Sequence, residues 1–289
     1  MSPDDDFEAH RPRLLAVAYG MLGDRGEAED IVQDAWLRWR ATDPGSVRNP
    51  EAFLVTVTTR LAIDRFRAAR ARREAYVGPW LPEPVVTDPA AASPDPLARV
   101  LDSERLSLAL LVALERLNPV ERAVLLLRDV FDLDYAEVAA IVERRPDNCR
   151  QIARRARTRV ADPARRAPVT AEDEQRIVAA FSAAALRGDL AALTAVLAAD
   201  AVLFTDGGGV VVAARKPIFG ASKIARFLLG VQRKVSFEPV YAFVRVNGDP
   251  GIRQSGPDGV VSLLALELDG DGSIANVRIV VNPHKLTRA

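Results

Sequence analysis

Between Arg60 and Arg73, six of fourteen residues are arginine (Arg60, Arg65, Arg67, Arg70, Arg72 and Arg73). The only acid among them is Asp64, and Phe66 is interleaved. Guanidinium groups on a helix face suit a nucleic-acid backbone, although a solvated charged helix has the same composition. A second series, Arg150, Arg154, Arg155, Arg157 and Arg159, accompanies Asn148 and Gln151. Asn and Gln pair with adenine edges and Arg with guanine, so this series has the chemistry of base reading.

Residues for bond-making chemistry are scarce. Cys149 is the only cysteine, which rules out an intramolecular disulfide or a cysteine-based zinc site. The two histidines, His10 and His284, stand at opposite ends of the chain. Asp206 precedes Gly207-Gly208-Gly209, where a tight hairpin or close backbone approach is the simpler explanation. Glu267 alternates with Leu266 and Leu268 and is expected to point outward. No Lys-Ser/Thr follows the glycine run, so it is no phosphate loop. Asp269-Gly270-Asp271-Gly272 lacks the later glutamate of a calcium loop and reads as a hairpin turn. No catalytic residue, metal or cofactor is expected. Lys+Arg and Asp+Glu are 39 each, yet the four lysines all follow Arg215, so the zero net charge hides local asymmetry. No apolar run reaches membrane-spanning length and the acidic start is unlike a signal peptide; the expected location is cytoplasmic, with no membrane partner.

These residues need helices to hold them. The chain divides into a helical block at 1–73, a proline-rich linker at 74–100, a second helical block at 101–162 and a mixed block at 170–289. Six prolines between Pro79 and Pro96 exclude a helix or central strand from the linker, which is expected to be extended. In the first block Ala28, Ile31, Val32, Ala35, Trp36 and Trp39 recur with helical period and form a core stripe. Asp30, Gln33, Asp34 and Leu37 make a second stripe, either solvated surface or a docking face. Asn49-Pro50 signals a helix start, although Leu54–Thr59 has strand propensity. Asn118-Pro119-Val120-Glu121 and Asp134-Tyr135-Ala136-Glu137 are capping boxes. The latter opens a short helix with Tyr135, Val138, Ala139 and Val142 inward. A turn over Glu143 to Pro146 and a helix from about Asp147 to Val160 complete a helix-turn-helix pattern.

The stretch from Ala28 to Trp39, followed by Asn49-Pro-Glu-Ala-Phe53 and Leu61 to Arg67, resembles region 2 of extracytoplasmic-function (ECF) sigma factors. Asp134 to Val160 is similar to region 4 of the same family. The resemblance implies a promoter-specific RNA polymerase sigma factor. Asp30, Gln33, Asp34 and Leu37 would meet the β′ clamp of core RNA polymerase, and region 4 its β flap. Arg60, Arg65, Arg67, Arg70 and Arg73 would serve the −10 element of promoter DNA. Asn148, Arg150, Gln151, Arg154, Arg155 and Arg157 would face the −35 element. The family often has Asn where Arg60 stands, which bears on the −10 bases preferred.

Trp80-Leu81-Pro82-Glu83-Pro84, Asp206-Gly207-Gly208-Gly209 and Asn282-Pro283-His284-Lys285-Leu286 resemble motifs of the subgroup with a fused C-terminal SnoaL-like domain. His284 and Val210 depart from that subgroup's usual Asp and basic residue. The resemblance implies regulation in cis by the third domain. The expected fold is therefore two all-α domains followed by an α+β cone. In the cone, helices are expected at 171–187, about 189–198 and about 222–233. Strands are expected at 201–205, 209–214, 236–247, 251–255, 260–268 and 273–281, with turns at Gly248–Gly251, Pro257–Gly259 and Asp269–Gly272. Such a cone has room for a small ligand. A buried indole removes about 150–250 Å² from water, so Trp80 and Leu81 are expected to pack near Asp206–Gly209 and Asn282–Leu286. Two rivals stand beside this reading: a ligand-sensing helix-turn-helix regulator acting without polymerase, and a SnoaL-like enzyme with DNA-binding appendages.

Overall fold

The computed structural model describes residues 3–87, 97, 106–160 and 169–289. They fall into two compact units, one within Met1–Ala75 and Pro94–Asp162, the other within Tyr76–Ser93 and Pro163–Ala289. Linker expectations for residues 88–96 and 98–100 lie outside the described residues.

The first unit is all helical. Helices α1 (Pro3–Leu22), α2 (Arg25–Arg40) and α3 (Pro50–Glu74) pack on one another. The Asp24 side chain caps α2 by accepting from the Glu27 amide at 2.8 Å. Ala28, Ile31, Val32, Ala35 and Trp39 are buried, whereas Trp36 is half-buried at the stripe's edge under the Arg40 guanidinium. Asn49 caps α3 through the Ala52 amide, with Pro50 in the first turn. The stretch Leu54–Thr59 is helical despite its β-branched content. Burial of Leu54, Val55, Thr58 and Thr59 favours the helix over local propensity.

Helices α4 (Leu108–Leu114), α5 (Pro119–Leu125), α6 (Tyr135–Val142) and α7 (Pro146–Val160) follow, with a π turn over Leu126–Val130. Both capping boxes form reciprocally. The turn between α6 and α7 has no glycine because Glu143 takes the left-handed conformation itself, at φ 55°. Tyr135 is a correction: it is half-buried on the outside, and Ile141 joins Val138, Ala139 and Val142 inside.

The second unit is α+β. Helix α8 (Ala171–Arg187) stops at Gly188, and α9 (Leu190–Ala195) is shorter than the sequence suggested. Leu197 already pairs with Ile274, so β2 (Leu197–Asp206) starts where the helix was expected to continue. Then come β3 (Ile218–Phe219), α10 (Ala221–Gln232), β4 (Val240–Val246), β5 (Asp249–Gly256), β6 (Gly259–Leu268) and β7 (Ile274–Val280). No strand forms at 209–214. Val210 and Val211 both donate to the Gly207 carbonyl, and Val212 is wholly exposed. The β4–β5 turn is Asn247-Gly248, both with positive φ, so Asp249 to Gly251 lie within β5 rather than in the turn.

The sheet order is β1-β4-β5-β6-β7-β2-β3, where β1 is Val86–Thr87 from the linker. Thus the proline-rich segment supplies an edge strand of the C-terminal sheet, against β4. Ile177, Phe181, Leu203, Ile224, Leu266 and Val277 form the core between helices and sheet. Glu267 does point away from that core, but it is not in solvent. It is largely buried and accepts from Arg278 at 2.6 Å and Asn276 at 3.0 Å.

Candidate nucleic-acid interface and linker site

Helix α7 sorts its residues by face. Cys149, Ile152, Ala153 and Ala156 are buried, while Asn148, Arg150, Gln151, Arg154, Arg155 and Arg157 are all exposed. These six share the outer face, but not all are equally available. Arg157 donates to Asp129 at 2.7 Å and to the Tyr135 hydroxyl at 3.4 Å. Its pKa is raised above the ordinary arginine value, first by the Asp129 hydrogen bond. Arg150 pairs with Asp147 at 2.5 Å and stacks on Tyr135, with Arg128 on the same ring, each at 5.4 Å. Arg128, Asp134, Tyr135, Ala136, Pro146 and Arg150 line a surface notch of about 420 Å³. The sequence reading missed Arg128 and Tyr135 as parts of this surface, because Tyr135 fell on the apolar stripe. The signal available was a phenol at the first helical position, directly after the Asp134 cap.

On α2, Asp30, Gln33 and Leu37 are exposed and Asp34 is half-buried. Leu37 is 53% exposed, a large apolar group left uncovered by the described residues. The α3 arginines diverge. Arg65 faces Asp30 at 3.7 Å, and Arg67 pairs with Asp64 at 2.9 Å near the surface. Arg60 donates to the Ile141 and Ala140 carbonyls at 3.0 Å each. Arg73 pairs with Glu115 at 2.7 Å and lies over the Phe66 ring. The side chain of Arg70 lies outside those described.

The third set converges on Asp206, which is fully buried. Its Oδ1 accepts from the Tyr76 hydroxyl at 2.6 Å and the Gly208 amide at 3.0 Å. Its Oδ2 accepts from the Leu81 amide at 2.9 Å and Lys285 Nζ at 2.8 Å. Lys285 also donates to the Leu81 carbonyl and sits 4.3 Å from the centre of the Trp80 ring. Asn282 Nδ2 donates to the Tyr76 oxygen at 2.8 Å, and Asn282 Oδ1 accepts from the His284 amide. Burial, then the Asp206 carboxylate, pushes the Tyr76 pKa up, so the phenol keeps its proton and donates. A Cβ on Gly208 would lie 2.4 Å from Asn282 Nδ2, and φ there is +65°, so glycine is the residue that fits. Leu81, Pro82, Glu83, Pro84 and Val85 are all buried, and Leu286 is buried beside the node's sequence. Pro283 opens the short turn that brings Lys285 round. The structure therefore brings together Trp80–Pro84, Asp206–Gly209 and Asn282–Leu286.

The Sigma-70 region 2 family matches residues 7–72 and the Sigma-70, region 4 family matches residues 107–160. ECF RNA polymerase sigma factor SigJ of Mycobacterium tuberculosis (strain ATCC 25618 / H37Rv) is 37% identical, over 98% of this chain and 92% of the relative. The chain belongs to the ECF RNA polymerase sigma factor family. Probable ECF sigma factor SigI of the same species is 32% identical over 97% of this chain and 93% of its own. The crystal structure of M. tuberculosis SigJ superposes with a TM-score of 0.80 at 35% identity, covering 99% of this chain and 98% of that one. This ECF sigma factor thus has regions 2 and 4 in its helical unit and a SnoaL-like α+β domain at its C-terminus. A sigma factor of this build binds core RNA polymerase and promoter DNA and directs transcription initiation. Among the described residues no helix is long and apolar enough to cross a membrane.

Proposed function

We propose that each surface has a separate task in initiation, and that the SnoaL-like domain regulates the process in cis without catalysing a reaction. Asp30, Gln33, Asp34 and Leu37 dock on the β′ clamp, where Leu37 becomes buried. Region 4 meets the β flap. Helix α3 receives the −10 strand through Arg60, Arg65, Arg67, Arg70 and Arg73. Helix α7 enters the major groove at the −35 element with Asn148 and Gln151 leading and Arg154 and Arg155 on phosphate or guanine. Arg128 and Arg150, both held over the Tyr135 ring, position the DNA backbone beside them. Arg157, already bidentate on Asp129, contributes less than its charge alone suggests.

Regulation works through the linker. One observation carries this: the segment joining the two DNA-reading domains contributes an edge strand and the buried Leu81 to the C-terminal domain. Whatever alters that domain alters the length of free linker, and so the reach between regions 2 and 4. A small molecule seated in the cone would act by the same route. The domain does no chemistry of its own; two of its buried acids, Asp206 and Glu267, are paired with Lys285 and Arg278.

In vitro transcription with core RNA polymerase tests this, comparing the full chain with a version ending near Pro168. Specific initiation by both, at different rates, is the expected result. Failure of both, with promoter duplex bound tightly by the protein alone, would favour a polymerase-independent regulator. Alanine at Trp80 and Leu81 together should change promoter output while regions 2 and 4 stay folded; unchanged output removes the linker from the mechanism.

A further inference from the structure

Regions 2 and 4 share one compact unit, and arginines make much of the contact between them. Arg60 of α3 crosses to α6. Its Nε and Nη2 reach the Ile141 and Ala140 carbonyls, which are among the unpaired acceptors at that helix's C-terminal end, and Nη1 lies 3.2 Å from Glu143. Near the other end of α3, Arg73 reaches Glu115, at the end of α4, and the Leu22 carbonyl. Glu115 also holds Arg122 of α5, whose guanidinium is fully buried, stacks on Phe66 and donates to the Gly20 carbonyl at 3.0 Å. One carboxylate of region 4 therefore links a region 2 arginine to a region 4 arginine, and that second arginine returns to region 2. Gly20 lets the helices close: a Cβ there would stand 3.4 Å from Leu126.

This closed unit cannot reach both promoter elements. A compact body of about 140 residues has a radius of gyration of roughly 15 Å. Elements roughly 25 base pairs apart are separated by about 85 Å at 3.4 Å per pair. Initiation therefore requires the unit to open, and opening strips Arg60 of the α6 carbonyls and Glu143, and Arg73 of Glu115, while Arg73 keeps the Leu22 carbonyl of region 2.

We propose that Arg60 and Arg73 form an autoinhibitory clasp between regions 2 and 4, and that the −10 strand and region 4 compete for these two arginines. The proposal rests on the reading of α3 as the −10 surface. Phosphate replaces Glu115, Glu143 and the α6 carbonyls as the arginine partner, so both arginines keep a charged partner in the opened unit. Affinity for single-stranded DNA is then lowered by the closed fraction, and whatever weakens the clasp without touching the arginines raises it.

The test uses the full chain with fluorophores on Arg38→Cys in α2 and Thr158→Cys in α7, both exposed sites. Energy transfer reports opening independently of DNA. Binding is read by anisotropy with a fluorescein-labelled single-stranded DNA of mixed sequence. Glu143→Ala, at an exposed side chain, should lower energy transfer and tighten binding about threefold. Adding Glu115→Gln should tighten it about tenfold, and saturating DNA should lower energy transfer in the unaltered chain. Unchanged energy transfer in both variants overturns the clasp. Reduced transfer with unchanged DNA affinity overturns the competition and counts against α3 as the −10 surface, leaving a purely structural contact. If the double variant melts early by circular dichroism, Glu143→Ala alone decides.

Discussion

The two units each contain a junction, and the junctions are built differently. Region 2 meets region 4 through long side chains: Arg60, Arg73 and Arg122 on carbonyls and on the carboxylates of Glu115 and Glu143. The linker meets the SnoaL-like domain through its backbone. Val86 and Thr87 pair with β4, Asn247 N donates to Val85 O at 2.8 Å, and the Leu81 amide donates to buried Asp206. At the rim of this junction, where the Arg60 side chain is 43% exposed, contacts exchange partners one at a time because water or phosphate can take them over, whereas Arg122 and most of Arg73 are buried. A backbone ladder anchored on a buried ion pair separates only as a whole, because each step leaves a desolvated group unpaired. The first junction suits a contact that opens in every initiation cycle. The second suits a switch with few, well-separated states.

The largest expected effect comes from breaking the second junction. Asp206→Ala strips Tyr76, Leu81, Gly208 and Lys285 of their acceptor at once and leaves a buried ammonium. A loss of about 3–5 kcal/mol in the C-terminal unit is expected. It should appear as a lower Tm and rapid proteolysis within the linker; a variant as resistant as the parent would mean that Asp206 is not the anchor. Arg73→Met is the matching cut in the first junction. It removes contacts to Glu115 and Leu22 from a mostly buried side chain and should cost about 1–3 kcal/mol. The loss should appear in hydrogen exchange of α3 and α4, with β1 unchanged.

A pH series distinguishes the units further. Burial pushes the Asp249 carboxyl up to about 7 from its ordinary 3.8, with Arg278 pulling the other way. Between those values the folded form holds a proton that the unfolded chain has released. Asp249 therefore makes the C-terminal unit less stable as pH rises from 3.8 to about 7, and its contribution is level above that. The Tm gain of Asp249→Asn over the parent should grow across this window and then hold constant. A gain independent of pH would show that Asp249 titrates normally. The smallest effect is expected from Arg157→Ala, which removes an exposed pair with Asp129 outside both junctions. Stability should fall by less than about 1 kcal/mol. Affinity for a −35 duplex should fall less than for Arg154→Ala, measured in parallel.

Much of the first unit was legible because its signals are local. The boxes at Asn118/Glu121 and Asp134/Glu137 close over three residues, and the caps at Asp24 and Asn49 do the same. Periodicity located the buried face of α2, and the Arg, Asn and Gln side chains marked the outer face of α7 by their chemistry. It misassigned Tyr135 and Trp36, because aromatic rings at a stripe's edge serve an arginine as readily as a core. In the second unit the helix at 171–187 and the hairpins around 240–280 were readable. Residues 209–214 were not, since their strand propensity yields to a turn closed on the Gly207 carbonyl.

The sequence by itself determined which stretches become helix, where they are capped and which face of α7 carries its charge. Those outcomes depend on neighbours within one or two turns. Only the tertiary structure decided the fates of Asp206, of the linker and of the α3 arginines. Asp206 draws on Leu81 and Lys285, 125 and 79 positions away, and Arg60 finds its carbonyls 80 and 81 positions on. A carboxylate or guanidinium carries the same charge wherever it is written. Its role depends on which groups are brought within about 3 Å of it after water has been removed, and that depends on the packing of the whole unit.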